Sequence, residues 1–319
     1  MRWPVNKMNI FTKFFSKPLL LSGFGVLLIA GGCAQIQLPS ANKEATPFYT
    51  GPQMAAENLP VYAVGESFLF DDGRTDTVIE INDETLTWRD DRGIIRWIHR
   101  NFLLPDIGWQ NRTRRSTSQT TADAKMLWPL EVAASARFDY QQFVDSNDGS
   151  SHNEYKQSWQ CIVEGTQTLD VPAGTFSVFK IPCYRYLDGT SFWRQTRTFY
   201  YAPKVNHYVK RTDTYANRPS RQRELTSFGF NSTALPANEQ AILNSTVQNV
   251  LNNNADNVGT TWNRPDGTLS ATLTPLRSFQ GTKGEQCREY QSTYNIAKRS
   301  RVNYRTVCKL DTGLWQRIQ

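Results

Sequence analysis

Val171-Pro172-Ala173-Gly174-Thr175-Phe176 reverses the chain, and its reading decides the fold. Tyr155–Thr168 leads into this turn and Phe179–Tyr186 leads out of it, and both flanks read as strands. Pairing them around the turn sets Cys161 opposite Cys183, within the short Cα separation that a disulfide requires. The same arrangement recurs near the C-terminus. There Arg288–Ile296 pairs with Arg301–Leu310 around Ala297-Lys298 and sets Cys287 opposite Cys308. With Cys33 set aside, four cysteines allow three pairings, and the two hairpins select 161–183 and 287–308. There is no C-x2-C spacing, and the histidines are His99, His152 and His207, so no metal site is expected.

Working outward, short strands alternate with turns. Phe68 and Phe70 alternate before Asp71-Asp72-Gly73, and Ile79 and Ile81 before Asn82-Asp83-Glu84. Leu86 and Trp88 precede Asp90-Asp91-Arg92-Gly93, which turns the chain into Ile94–Ile98. These turn residues tolerate positive φ or hydrogen-bond their own backbone, so the run is an antiparallel meander. Asn101–Tyr140 is less regular, and over Leu130–Ala136 a helix and a strand both stay open. Further strands follow at Phe192–Tyr201 and Val205–Thr212.

Residues 218–235, with Pro219, Gly229 and Asn231, read as a linker. Leu243, Val247, Val250 and Leu251 then have the i, i+4, i+7, i+8 spacing of one short helix over Glu239–Leu251. A second meander begins at Thr260. The expected fold is mostly β: two antiparallel β-meander or half-barrel domains, 61–217 and 236–319, the second preceded by one short helix. Residues 33–60 carry Pro39, Pro47, Pro52 and Pro60 with no sustained apolar period, and read as a flexible tether.

The first residues have a different grammar. Arg2, Lys7, Lys13 and Lys17 come with no acid, then an apolar run from Pro18 to Ala30, then Gly31-Gly32-Cys33. A basic start, an apolar run and small residues before a cut site make a secretory signal over residues 1–32. Leu27-Leu28-Ile29-Ala30-Gly31-Gly32-Cys33 resembles the lipobox of bacterial lipoproteins. The resemblance implies that Cys33 carries the lipid and becomes the first mature residue, and that Ala34 after it sorts the protein to the outer membrane. The membrane partner is then reached through the acyl chains, each buried CH₂ contributing about 0.8 kcal/mol. Val171–Phe176 together with Phe199-Tyr200-Tyr201-Ala202-Pro203 also resembles a theme of small bacterial exported β-domains.

The chain has 319 residues and a formal net charge of +7. Removing the four bases of the signal leaves +3 on the mature chain, which calls for no nucleic acid. From Pro236 on there are ten bases and six acids, so this part carries +4 and the rest of the mature chain −1.

The C-terminal motifs form an ordered series. They are Trp262-Asn263-Arg264-Pro265-Asp266-Gly267, Leu273-Thr274-Pro275, Cys287-Arg288-Glu289-Tyr290-Gln291, Val307-Cys308 and Asp311-Thr312-Gly313-Leu314-Trp315. Together they resemble the surface-antigen domain of the seventeen-kilodalton outer-membrane lipoproteins. The resemblance implies a lipid-anchored envelope protein without established catalysis. Many relatives place a glycine zipper before the domain; here that region holds the first β-domain.

No G-x-S-x-G, Walker loop, H-E-x-x-H or G-x-G-x-x-G is present, and no catalytic residue or cofactor is expected. The paired carboxylates lie in turns, and His207 has no visible partner along the sequence. Basic clusters are the candidate anion-binding surfaces: Arg112, Arg114 and Arg115; Arg218, Arg221 and Arg223 in the linker; and Lys298, Arg299 and Arg301 at the last hairpin. Guanidinium forks suit the phosphates of lipopolysaccharide and the carboxylates of peptidoglycan. Two functions follow. One is a structural or binding component of the outer membrane, contacting such a polymer or an envelope protein. The other is a periplasmic carrier or chaperone gripping an apolar ligand in the first domain. A dry interior packed by Trp88, Trp97, Trp159 and Trp193 would argue against the carrier.

Overall fold

The computed structural model describes residues 51–83, 85–187, 189–296 and 299–317. The expected signal, Cys33, the first part of the expected tether and Lys298 lie outside these described residues.

The first sheet comprises β1 (Glu66–Phe70), β2 (Thr75–Asn82), β3 (Thr85–Asp90), β4 (Ile95–His99), β5 (Gly108–Gln110), β6 (Arg114–Thr120) and β7 (Ser135–Ser146). It continues with β8 (His152–Ile162), β9 (Gly165–Val171), β10 (Gly174–Leu187), β11 (Trp193–Ala202), β12 (His207–Tyr215) and β13 (Arg221–Phe230). All pairings are antiparallel. β13 returns to pair with β1. β10 pairs with β11 along one edge, and divides its other edge between β9 at its start and β8 at its end. Twelve strands therefore close into a ring, with β9 as a branch. The turn of the β9–β10 hairpin packs against β13: the Ala173 amide donates to the Leu225 carbonyl, and Phe176 meets Phe228 edge to face.

The second sheet has the order β14 (Thr260–Asn263), β15 (Leu269–Gln280), β16 (Gln286–Ile296), β17 (Arg299–Lys309), β18 (Trp315–Arg317). The helix α1 (Ala237–Asn253) buries Leu243, Val250 and Leu251 against Leu269, Ala271, Leu273, Tyr290 and Trp315. Gln248 clamps the Trp315 backbone in both directions at 2.9 Å, and Arg288 donates to the Leu251 carbonyl in the last helical turn. Cys161 is joined to Cys183 and Cys287 to Cys308, each pair across neighbouring strands with 4.0 Å between Cα atoms.

Two expected boundaries are corrected. Residues 218–235 are not a linker, because Arg221–Phe230 is the strand that closes the ring. Its inward residues include Arg223 beside Leu225, and a bulge opposite Leu69 and Phe70 shifts its register, so no simple apolar alternation marks it. The end of the expected tether is docked rather than loose: Glu57 forms a bridge with Leu130 in both directions, and Thr166 Oγ1 donates to the Pro52 carbonyl. Leu130–Ala136 is no helix. Leu130 makes that bridge, a turn follows, and Ser135 begins β7.

The two sheets share an interface. The alternation that turns Phe68 and Phe70 inward also buries Glu66, which is 0% exposed. Its carboxylate accepts from the Ala63 amide at 2.9 Å and from Arg299 and Arg301 of β17 at 2.9 and 3.1 Å. Arg301 also donates to the Val205 carbonyl and lies over the Phe228 ring, and Phe230 stacks on Tyr294 at 4.3 Å. The described residues form one compact unit.

Removing one partner of a buried ion pair leaves an uncompensated charge, at a cost of about 3–5 kcal/mol. We expect Glu66→Ala to lower stability by about that much in urea unfolding, and Glu66→Met with Arg301→Met to recover most of it. Replacing Cys287 and Cys308 by serine should cost about 3 kcal/mol, from the entropy regained by the open chain. An unchanged urea midpoint in either case would contradict these assignments.

Candidate binding cavity inside the barrel

The register builds a site within the ring. Opposite one another lie Trp159 of β8, Arg185 of β10 and Gln195 of β11. The row beneath holds Cys161, Cys183, Arg197 and Asp213. Because side chains alternate faces along a strand, the disulfide and Arg185 point the same way. Here the strands leave a cavity of about 200 Å³, walled by Trp109, Tyr140, Gln142, Gln157 and Phe199 as well. Leu103-Leu104-Pro105-Asp106, from the β4–β5 connection, enters it from inside the barrel. A smaller space of about 70 Å³ shares Leu104, Asp106, Arg197 and Phe199 and reaches His207.

Charges fill the interior in two linked groups. Asp76 is held between Arg96 and Arg223, the latter at 2.8 Å, and Arg223 also reaches Asp72 and the Tyr208 hydroxyl. Burial alone would lower the Arg223 pKa, but Tyr208, Asp76 and Asp72 outweigh it and the net shift is upward. Asp213 accepts from Arg197 at 2.6 Å and Gln195 at 2.7 Å, and pairs with Arg211 at 3.1 Å. Burial opposes its ionisation, yet Arg197 and Arg211 hold its carboxyl below the ordinary range. Asp106 goes the other way: burial raises it, against the pull of Arg96, Arg197 and Arg211. Burial also pushes the Tyr140 phenol up to about 12, so it stays a neutral hydroxyl.

His207 sits in an aromatic cage, 4% exposed. Its Nδ1 shares a 2.8 Å hydrogen bond with the Tyr62 hydroxyl, and the rings of Phe68, Trp88, Phe102 and Tyr208 surround it. Burial first, then the charges of Arg223, Arg96, Arg211 and Arg301, hold its pKa well below 6.5. It is a packed neutral imidazole with no carboxylate partner of its own.

The basic clusters singled out along the sequence fare differently. Arg112, Arg114 and Arg115 are exposed at the β5–β6 turn, with Asp145 3.9 Å from Arg115. Arg299 and Arg301 do not form a free patch: both guanidiniums are committed to Glu66, and Arg301 is 2% exposed. Arg223 is buried inside the ring, while Arg218 lies on the Tyr215 ring at 3.6 Å. Of the four tryptophans, Trp88 and Trp159 are buried, Trp193 is half-buried and Trp97 is exposed. Among the described residues, Glu285, Cys287 and Cys308 converge with the spacing of a metal site, but both sulfurs are joined in the disulfide. Reading the sequence missed Arg185, Arg197 and Asp213; the signal was there in Ile181, Cys183 and Arg185, which share a strand face.

Comparison with known proteins bears on the second sheet. Residues 249–316, from the end of α1 through β18, match the family described as 17 kDa outer membrane surface antigen. This C-terminal region is a surface-antigen-like domain. The 17 kDa surface antigen of Rickettsia bellii (strain RML369-C) is 33% identical over 55 residues, 17% of this chain and 35% of that protein. That of Rickettsia felis is 30% identical over 71 residues, covering 22% and 45%. That of Rickettsia prowazekii is 27% identical over 78 residues, covering 24% and 49%. The chain thus spans between a third and a half of the length of these relatives. The hypothetical lipoprotein YmcC of Escherichia coli (K12) is similar in structure at a TM-score of 0.37 and 9% identity, over 52% of this chain and 85% of that one. That likeness is too weak to bear on topology or function.

The state of His207 has a measurable consequence. Its folded pKa is depressed, so its contribution to stability is whole above the unfolded value near 6.5 and is lost as pH falls below it. Between pH 6.5 and 5 the wild type should lose stability with a slope from this group of up to about 1.4 kcal/mol per pH unit. In His207→Gln that component should vanish, His99 and His152 being common to both proteins. Identical slopes in chemical unfolding across this range would show that His207 does not titrate as argued.

Proposed function

We propose that this is a non-catalytic envelope protein, held at the outer membrane by a lipid on Cys33, whose barrel and surface-antigen-like sheet act as one binding or structural unit. The observation that carries the reading is the match of residues 249–316 to an outer membrane surface antigen family. The signal grammar ending at Cys33 supports it independently from the other end of the chain. The reading takes its attachment from the lipid on Cys33; separately, no helix among the described residues is long and apolar enough to cross a membrane.

The interior favours binding over catalysis. Asp76 and Asp213 are consumed by arginines, and the buried histidine faces a tyrosine and aromatic rings rather than a nucleophile. The carrier for an apolar ligand is the weaker reading. Phe68, Phe70, Phe102 and Tyr201 fill the barrel, and the space that remains sets glutamines and charged groups among its apolar walls.

Lipid attachment is tested by fractionating cells that express the wild type or Cys33→Ala, with radiolabelled palmitate as the tracer. The wild type should incorporate label and sediment with outer membrane. The variant should lose the label and move to the soluble fraction; retention at the wild-type level would defeat the anchor.

A further inference from the structure

The cavity beside the disulfide holds one guanidinium that no carboxylate among the described residues balances. Arg185 has no carboxylate within ion-pair reach among the described residues, and its hydrogen bond to Gln157 is long, at 3.5 Å. Its Nε is buried without a partner. Arg96, Arg197, Arg211 and Arg223 each reach an aspartate. Burial lowers the Arg185 pKa, and its charged neighbours Arg197, Arg218 and Arg194 add to the shift. A half-buried charge in such surroundings costs free energy unless a counter-charge arrives.

We propose that this cavity binds a compact carboxylic acid with hydroxyls on its body, the carboxylate resting on Arg185. Charge sets the valence. At the cavity itself Arg197 is answered by Asp213, whereas Arg185 has no carboxylate within ion-pair reach among the described residues, which leaves a place for one negative charge. Asp106 on the same cavity penalises a second one. A carboxylate answers a planar guanidinium with paired hydrogen bonds. The side-chain amides of Gln142, Gln157 and Gln195 and the Tyr140 hydroxyl offer donors and acceptors suited to hydroxyls, and Trp109 and Phe199 supply apolar wall. About 200 Å³ admits a ligand the size of one acidic sugar residue and excludes a lipid tail. The proposal rests on reading the barrel as a binding module and is independent of the membrane anchor.

The test is isothermal titration of the full mature chain in detergent with D-glucuronate, D-glucose and inorganic phosphate. D-Glucuronate should bind, with D-glucose and phosphate each at least tenfold weaker. Arg185→Gln should weaken D-glucuronate at least tenfold at a melting temperature no lower than that of the wild type, and Arg185→Lys should lie between. Absence of D-glucuronate binding, equal binding of D-glucose, tighter binding of phosphate, or an Arg185→Gln variant that binds like wild type would each overturn the proposal. If Arg185→Gln fails to fold, the three-probe comparison on the wild type still decides. The same titrations on Cys33→Ala should give the wild-type affinities, which separates this result from failure of the anchor.

Discussion

A single carboxylate, that of Glu66, fixes how the two sheets meet. It has no solvent exposure and is met by two guanidiniums from the other sheet. Such a group tolerates no alternative docking, since a shift of a few ångströms would strand three charges away from water. The surrounding contacts reinforce this geometry. Gly65 has φ +97°, and a Cβ there would lie 2.5 Å from the Phe230 ring, which stacks on Tyr294 of the second sheet. Only glycine fits that conformation and that space together. The surface-antigen-like region is therefore held as a rigid extension of the barrel. Two arginines that look like a surface patch along the sequence are the price of that joint.

The parts of the fold that were legible are those whose signal is local. The turn at 171–176 pairs β9 with β10 by short-range chemistry. The expected strand Tyr155–Thr168 is broken into β8 and β9, and Cys161 faces Cys183 because β8 takes over the same edge of β10, while β16 and β17 pair directly and set Cys287 opposite Cys308. The helix was legible from four spaced apolar residues, although it runs two residues beyond the expected range at each end. What escaped is what depends on contacts distant in sequence. β13 carries Arg223 at an inward position, so its pattern looks like that of a polar loop until Asp76, 147 residues earlier, is placed beside it. β7 pairs with β6 and β8 over long registers yet shows few buried apolar residues.

The candidate site was illegible for the same reason. An arginine inside a barrel breaks the alternation by which strands are recognised, and it is discounted as surface. Arg185, Arg197 and Arg211 each have a cysteine or an apolar residue two positions away on the same strand, Cys183, Phe199 and Val209. Arg197 finds its aspartate, Asp213, on the neighbouring strand, Arg211 shares that aspartate from two residues away on its own strand, and Arg185 has none among the described residues, so nothing in the sequence marks the three as one group. A charged interior also differs from an oily one in what it selects. Apolar cores accept many shapes of similar volume, whereas a lattice of directed hydrogen bonds holds each side chain to one position.

The branch at β10 gives the barrel a direction. The β9–β10 turn reaches β13 where Phe176 meets Phe228, while Arg185 stands at the opposite end of the same long strand. One strand thus carries a packed aromatic contact at its start and a charged cavity at its end, so a change in its register would disturb both at once.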